Sequence, residues 1–173
     1  MDLVAPALPA EFVLRPICPT DQSALADFYT GLSPRSRSAR FHGPGTLSAA
    51  DLAAMAGADG ARSAGWVAWA GSLIVGHLLL VPGGPPGVYE LGIAVADAFQ
   101  GHGIASALLG LGLAWARTVG PCRLVAPVRW GNLPMERLLA RHAVARSSVG
   151  GTATFLIELP PGPKGPASGS EQA

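Results

Sequence analysis

Val88-Tyr89-Glu90-Leu91-Gly92-Ile93-Ala94-Val95, followed after four intervening residues by Gln100-Gly101-His102-Gly103-Ile104-Ala105-Ser106, is the stretch on which the reading of this chain turns. Its first half reads as a buried strand ending near Ala96. Its second half reads as a glycine loop that opens a helix over about Gly103 to Thr118. Ile104, Leu108, Leu111 and Trp115 fall at i, i+4, i+7 and i+11, one stripe of a period-3.6 helix. A strand, a glycine loop and a helix N-terminus in that order make an anion seat. The first-turn N–H groups have no intrahelical partner, and the helix dipole adds partial positive charge. Gly101 and Gly103 let a phosphate approach the backbone with no Cβ in the way. A pyrophosphate ester fits such a seat.

Two familiar pyrophosphate loops are excluded. A dinucleotide fingerprint needs an acidic residue about 20 positions on for the ribose. After Asp97 the next acid is Glu136. A Walker-type loop needs Gly-Lys-Ser/Thr, which is absent.

Working outward, Glu11 to Ile17 reads as a first strand. Thr20 is the expected cap of a helix over Asp21 to Tyr29. Ser33-Pro34 starts a second helix, with Pro at the first helical position where its missing N–H costs nothing. Ser48 caps a third over Ala49 to Met55. Strands over Trp66–Ala70 and Leu73–Val81 join through a tight turn, and Val88 to Val95 follows. Beyond the glycine-loop helix come a strand over Cys122–Val128, a helix over Leu133–Arg141 and one closing strand over Thr152–Leu159. This order gives an α/β or α+β single sheet with helices on its faces. Residues 11–159 form the expected domain, between a loose lead-in (1–10) and a disordered Pro/Gly/Ser tail (160–173).

The chain has 173 residues, 49% of them hydrophobic and only 13% charged, so a membrane span has to be tested. Neither Ser63–Tyr89 nor Ala98–Ala116 contains an Asp, Glu, Lys or Arg. Gly71-Ser72 breaks the first stretch into two strand-length runs, and a Pro/Gly cluster ends it. The second begins with the glycine loop. Strands buried on both faces, continuously apolar, account for both better than a spanning helix. No basic segment precedes an apolar run near Met1, so no secretory leader is expected. A net charge of +1 gives no field for nucleic acid. Cys18 and Cys122 form no metal or redox motif, and a reduced, cytoplasmic setting is expected.

The segment Tyr89–Val95 with Gln100-Gly101-His102-Gly103-Ile104-Ala105 resembles motif A of the GCN5-related N-acetyltransferases, the GNAT superfamily, whose Gln/Arg-x-x-Gly-x-Gly/Ala holds the acyl-CoA pyrophosphate. The resemblance covers roughly residues 12–158. Leu14-Arg15-Pro16-Ile17, Asp21, Phe28, Leu32-Ser33, Arg40-Phe41 and Leu47-Ser48 are similar to the entry region of bacterial Pat-type protein-lysine acetyltransferases. In that branch a regulatory or ligase-like domain often accompanies the GNAT domain. No such domain is expected within these 173 residues, so its input is expected to be absent or supplied in trans. The resemblance implies a mixed, mostly antiparallel sheet flanked by helices, its central strands splayed into an acyl-CoA cleft. It also implies acetyl-CoA as co-substrate without a metal, and a bulge near Ile93–Val95. The Ile93 and Val95 backbones would hold the pantetheine, one N–H there polarising the thioester oxygen. Gln100, Gly101, His102, Gly103, Ile104, Ala105 and Ser106 would seat the pyrophosphate, and Asn132 would contact the pantetheine amides while capping its helix.

Glu90 is the candidate general base. It is the only Asp, Glu, Lys or Arg between Arg62 and Asp97, and a carboxylate desolvated in an apolar strand has a raised pKa. The resemblance gives the same position a base role. A structural pair with Arg129 is the alternative. His77 reads as a hydrogen-bonded core histidine and His102 as solvent-facing. Arg35, Arg37 and Arg40 form a basic helix face, either solvated or reading an acidic acceptor. The family's usual leaving-group Tyr, seven or eight residues after the Asn, is replaced by Leu139 and Ala140. A thiol of pKa about 8.5 can leave without one. The Pat-like Gly-Phe closing that helix is replaced by Ala143-Val144, so the turn is expected to differ. The acceptor implied is a protein lysine, with a small amine as alternative; a non-catalytic acyl-CoA-binding module is the rival reading. A monomer or a homodimer would serve either.

Overall fold

The structure is a computed structural model that describes residues 11–42 and 46–160. The expected lead-in, and the tail beyond Pro160, lie outside the described residues. Seven strands form one sheet in the order β1-β2-β3-β4-β5-β7-β6. They are β1 (Phe12–Pro16), β2 (Ala64–Ala70), β3 (Leu73–Pro82), β4 (Val88–Val95), β5 (Cys122–Arg129), β6 (Ala145–Val149) and β7 (Thr152–Leu159). The helices are α1 (Gln22–Gly31), α2 (Pro34–Phe41), α3 (Ala49–Ala56), α4 (Ile104–Thr118) and α5 (Leu133–Ala140). Every neighbouring pair is antiparallel except β4 and β5, which run parallel. The first uncharged stretch is the β2–β3 hairpin, turned at Gly71 with φ +58°. Among the described residues no helix is long and apolar enough to cross a membrane.

Two cores flank the sheet. One packs α4 and Leu139 of α5 against Leu78, Leu80, Leu91, Ile93, Leu124 and Phe155. The other packs Leu25, Phe28 and Tyr29 of α1 and Ala56 of α3 against Val67, Ile74, Leu79 and Ala94. Along β4, therefore, Leu91 and Ile93 face α4 while Ala94, and with it Gly92 and Glu90, face the α1–α3 side. The caps at Ser33 and Ser48 form as the sequence indicates, accepting from Ser36 N and Asp51 N.

Several expectations are corrected. α1 begins after Asp21, not Thr20, because the Asp21 carboxylate turns back to Arg15 (2.7 Å to each of two guanidinium nitrogens) and to Cys18 N. The buried face of α4 is Ile104, Leu108, Leu109, Gly112, Leu113 and Ala116, with Leu111 and Trp115 only half-buried. The helix lies so close to β3 that small residues occupy the contact line. A Cβ on Gly112 would meet Leu78 and Leu80, and one on Gly76 would stand 2.8 Å from Ile104 Cγ2. β6 is a strand beyond the single closing one expected. All five of its residues are exposed, so no apolar alternation marks it; Gly150 and Gly151, both with positive φ, make the hairpin to β7. The bulge implied for β4 is absent: β3 and β4 stay in unbroken register from Gly76↔Val95 to Pro82↔Tyr89. The register shift lies instead in β2, between Ala68 and Trp69. After α5 the chain turns without a left-handed residue at Ala143, His42 being the one non-glycine with positive φ among the described residues.

His77 is 0% exposed, and its Nδ1 shares a 2.8 Å hydrogen bond with the Tyr29 hydroxyl. Burial, with the charge of Arg40 second, holds its pKa down to about 3. The unfolded chain, with an ordinary histidine near 6.5, binds a proton that the native state does not between those values. Stability is therefore whole above about pH 6.5 and falls as the pH drops toward 3, by up to about 1.4 kcal/mol per pH unit. Asp21, held down to about 2 chiefly by its bond to Arg15, has its native advantage above about 3.8 and loses it as the pH falls through 2, below the main histidine window. Urea unfolding between pH 7 and pH 4 should show this slope, and His77→Gln should reduce it, leaving the smaller share of the half-buried His142. The helix–sheet contact has its own test. Gly76→Val should cost about 1–3 kcal/mol by overpacking Ile104 and Leu108, read as a lower urea midpoint.

Candidate acyl-transfer cleft

β4 and β5 pair only at Val88↔Arg123, Tyr89↔Leu124 and Glu90↔Val125. Beyond Glu90 they separate, leaving Leu91–Val95 and Ala126–Arg129 without each other as partners. The gap is a cleft of about 1270 Å³. Which backbone groups enter it follows from parity. Ala96 N donates to Val75 O on β3 and Val88 O accepts from Gly83 N, so even-numbered residues of β4 direct their N–H and C=O away from the gap. Odd-numbered residues direct theirs toward β5: the Glu90↔Val125 pair takes the Leu91 N–H, and the Leu91 C=O with the groups of Ile93 and Val95 faces the gap. Gln100 confirms the geometry at one point, its Nε2 donating to Val95 O at 3.2 Å.

The glycine loop closes the wide end. Gly101 and Gly103 have φ of +83° and +82°, conformations that cost an L side chain about 1–2 kcal/mol. With both left-handed, successive N–H groups turn toward one concave side. Gly103 is the N-cap of α4 and brings no capping side chain, so the first-turn N–H groups of Ile104, Ala105 and Ser106 stay available. Gln100, Gly101, Gly103, Ile104, Ala105 and Ser106 all line the cleft. His102 does not. Its ring is exposed, lies edge-on to Phe12 and has Nδ1 3.1 Å from Gln100 O.

Across the gap Asn132 lines the cleft and caps α5, its Oδ1 accepting from Met135 N at 3.4 Å. Leu139 is buried in the core under α5, and no tyrosine is among the lining residues: Tyr29 is buried, and Tyr89 packs edge-on to Trp115. Glu90 sits where the strands part and lines the cleft, but it is exposed rather than desolvated. Its strand neighbours are apolar, yet its own side chain stands in the opening between strands, which a sequence reading of the strand cannot show. The alternative pair with Arg129 does not form. Arg129 Nη1 donates instead to Ser38 Oγ, and among the described residues Glu90 makes no ion pair.

α2, whose basic face was expected near the substrate side, is part of the cleft wall. It runs along β4 on the face opposite α4 and fastens to both splayed strands. Ser36 Oγ accepts from Gln100 Nε2, the Ser38–Arg129 bond reaches β5, and His42 Nε2 lies 3.3 Å from Pro127 O. Asp97 anchors the start of α2, accepting from Ser33 N, Ser33 Oγ and Ser36 Oγ. These bonds hold its carboxyl below the usual range despite the opposing effect of burial. The signal in the sequence was Gly92: a glycine inside a strand marks a close approach, and here the Arg40 guanidinium occupies the place of its missing Cβ.

Residues 26–143 match the profile of the Acetyltransferase (GNAT) family. Among solved structures the chain is similar to the GNAT domain of PAT from S. lividans, at 29% identity and TM-score 0.76, covering 84% of this chain and 89% of that one. It is also similar to a cAMP-binding acyltransferase from Mycobacterium smegmatis, at 25% identity and TM-score 0.57, covering 87% of this chain but only 44% of that one. The same fold recurs in yncA from Salmonella typhimurium, solved with its cofactor acetyl-CoA, at 17% identity and TM-score 0.66, covering 87% and 94%. With a splayed β4–β5 pair, a glycine loop at the mouth of the gap and a matching profile over most of its length, the chain belongs to the GNAT acetyltransferase family and is an N-acetyltransferase.

Proposed function

We propose that the chain transfers an acetyl group from acetyl-CoA directly to a primary amine, first of all a protein lysine, with Glu90 as general base. The observation that carries this reading is the parting of β4 and β5 at Glu90, which puts a free carboxylate beside the unpaired N–H groups of a strand. The Pat-like entry region and the likeness to the PAT domain support the lysine. Acetyl-CoA supplies an activated thioester. Its pyrophosphate would be held by the N–H groups from Gly101 to Ser106, and its pantetheine by the Ile93 and Val95 backbones and Asn132. Gln100 would release Val95 O as that carbonyl takes a new partner.

A lysine amine of ordinary pKa about 10.4 arrives protonated. Glu90 accepts that proton, directly or through water, and frees the nitrogen lone pair. The C–N bond then forms at the thioester carbon, the N–H of Ile93, fixed by the strand, stabilises the charge gathering on the carbonyl oxygen, and the nitrogen, cationic after attack, passes its second proton to water. The C–S bond breaks and the electron pair leaves on sulfur. With Leu139 and Ala140 where a tyrosine often stands, water protonates the thiolate; a thiol of pKa about 8.5 needs no stronger acid. Residues 11–159 constitute the transferase unit in this reading. The free thiols of Cys18 and Cys122 support a reducing, cytoplasmic setting.

Thiol release from acetyl-CoA with lysine-peptide and small-amine acceptors tests the proposal. Glu90→Gln should lower turnover by about 10²–10⁴-fold. Acetyl-CoA affinity, measured by calorimetry, should stay within about twofold. Tight binding without turnover on any acceptor would replace the enzyme reading with a non-catalytic acyl-CoA module, and turnover confined to small amines would replace the lysine. Gly103→Ala separately tests the anion seat. A Cβ at φ +82° strains the loop and enters the phosphate path, so acetyl-CoA affinity should fall about tenfold or more. Unchanged affinity would overturn the seat.

A further inference from the structure

The three arginines of α2 have different fates. Arg37 is spent within the fold, its Nη2 donating to Thr30 O (2.8 Å) and Leu32 O (3.3 Å). Arg35 is exposed at the rim of the cleft. Arg40 is held inside. Its guanidinium lies over Gly92 in the space a Cβ would need, and its Cζ stands 5.0 Å from the Phe41 ring centroid. Its Nε, like that of Arg37, is buried with no hydrogen-bond partner. Among the described residues, however, its guanidinium, unlike that of Arg37, makes no side-chain bond to a backbone carbonyl, and no carboxylate lies within 4.0 Å of it. The cleft offers two acids. Asp97 is saturated by Ser33 and Ser36, and Glu90 stands two residues away on the same face of β4, roughly 7 Å along the strand. A partly desolvated cation without a counter-ion is costly to keep. A glycine seat that fixes its position makes it a receptor for a charge brought by something else.

The location selects what brings it. α2 packs on the face of β4 opposite α4, and Arg40 lies four residues beyond Ser36, the residue bonded to Gln100 of the loop. That is about 6 Å farther along the helix from the anion seat, toward Glu90. Resting on the proposed transfer with Glu90 as base, we propose that Arg40 recognises the acceptor through a carboxylate carried beside the reacting amine, for a protein acceptor a lysine next to an Asp or Glu. Guanidinium and carboxylate pair with two parallel hydrogen bonds, which fixes orientation as well as affinity. The pairing also offsets the repulsion that Glu90 exerts on any acidic acceptor.

Matched acceptors test this: lysine peptides with Glu or Gln beside the lysine, and free amino acids as acids or as their amides. Transfer and equilibrium binding to the CoA-loaded protein are both measured. The wild type should favour the carboxylate member about tenfold or more in kcat/KM and in Kd. Arg40→Gln should abolish the preference while leaving acetyl-CoA affinity and the urea midpoint near wild type, and Arg40→Lys should restore part of it. A preference only among peptides, or only among free amino acids, identifies the source of the carboxylate and supports the assignment. Equal use of both members by the wild type, or a preference that survives Arg40→Gln, overturns it. Weakened acetyl-CoA binding in Arg40→Gln with acceptor preference intact overturns it in favour of a phosphate contact. Carboxylate-dependent binding without transfer would preserve the role of Arg40 and discard the proposed reaction.

Discussion

Everything at this site depends on a hydrogen-bonding constraint: two parallel strands that pair for three residues and then stop. Backbone N–H and C=O groups need partners, and a sheet normally supplies them strand to strand. Past Glu90, β4 has a partner on its β3 side only. The Leu91 C=O and the groups of Ile93 and Val95 are left facing a cleft, and a ligand with amides of its own could pair there as an added strand does. No bulge in β4 is needed for this. The strand stays in register with β3 throughout, and the gap arises because β5 diverges while following β7 through eight unbroken pairs.

A gap is useful only if its mouth is fixed relative to its walls, and the packing of α4 fixes it. Gly76 and Gly112 let the helix lie close on β3, and Ile104 and Leu108 are buried there completely or nearly so. The residues that root the helix in the core are thus the residues next to the exposed N–H groups of the loop. The anion seat and the hydrophobic core share one turn of helix.

The part of the chain that was legible in advance is the part where local chemistry and global position agree. β4 is read to the residue, because an apolar run ends where a glycine loop begins, and the Ser33 and Ser48 caps declare themselves by their side chains. What failed was set by neighbours distant in sequence. β6 carries no buried residue and exists because β7 offers it an edge. The buried stripe of α4 passes through Gly112, which a hydropathy pattern does not count. Glu90 looked desolvated from its neighbours in the chain, yet its exposure is decided by β5 turning away. Arg40 appeared as one of three equivalent arginines until Gly92 distinguished it.

α2 bears a relation to the cleft that sheet pairing alone does not supply. Once β4 and β5 separate, the wide end of the gap is spanned by side chains of this one short helix: Ser36 toward the loop, Arg40 on β4, Ser38 and His42 on β5. Such bonds, part-exposed and side-chain mediated, contribute about 1 kcal/mol each rather than the cooperative strength of a ladder. The two walls therefore differ in stiffness. On the α4 side the cleft is bounded by core packing, which resists small displacements; on the α2 side it is bounded by a few exchangeable polar contacts. A transferase with one invariant donor and a variable acceptor has a use for that asymmetry, since the wall that must hold the same thioester at every turnover is the one built into the core. In the proposed reading acceptor selection falls to the softer wall, where the Arg40 guanidinium, with no ion pair among the described residues, is already seated over Gly92, two residues along β4 from Glu90.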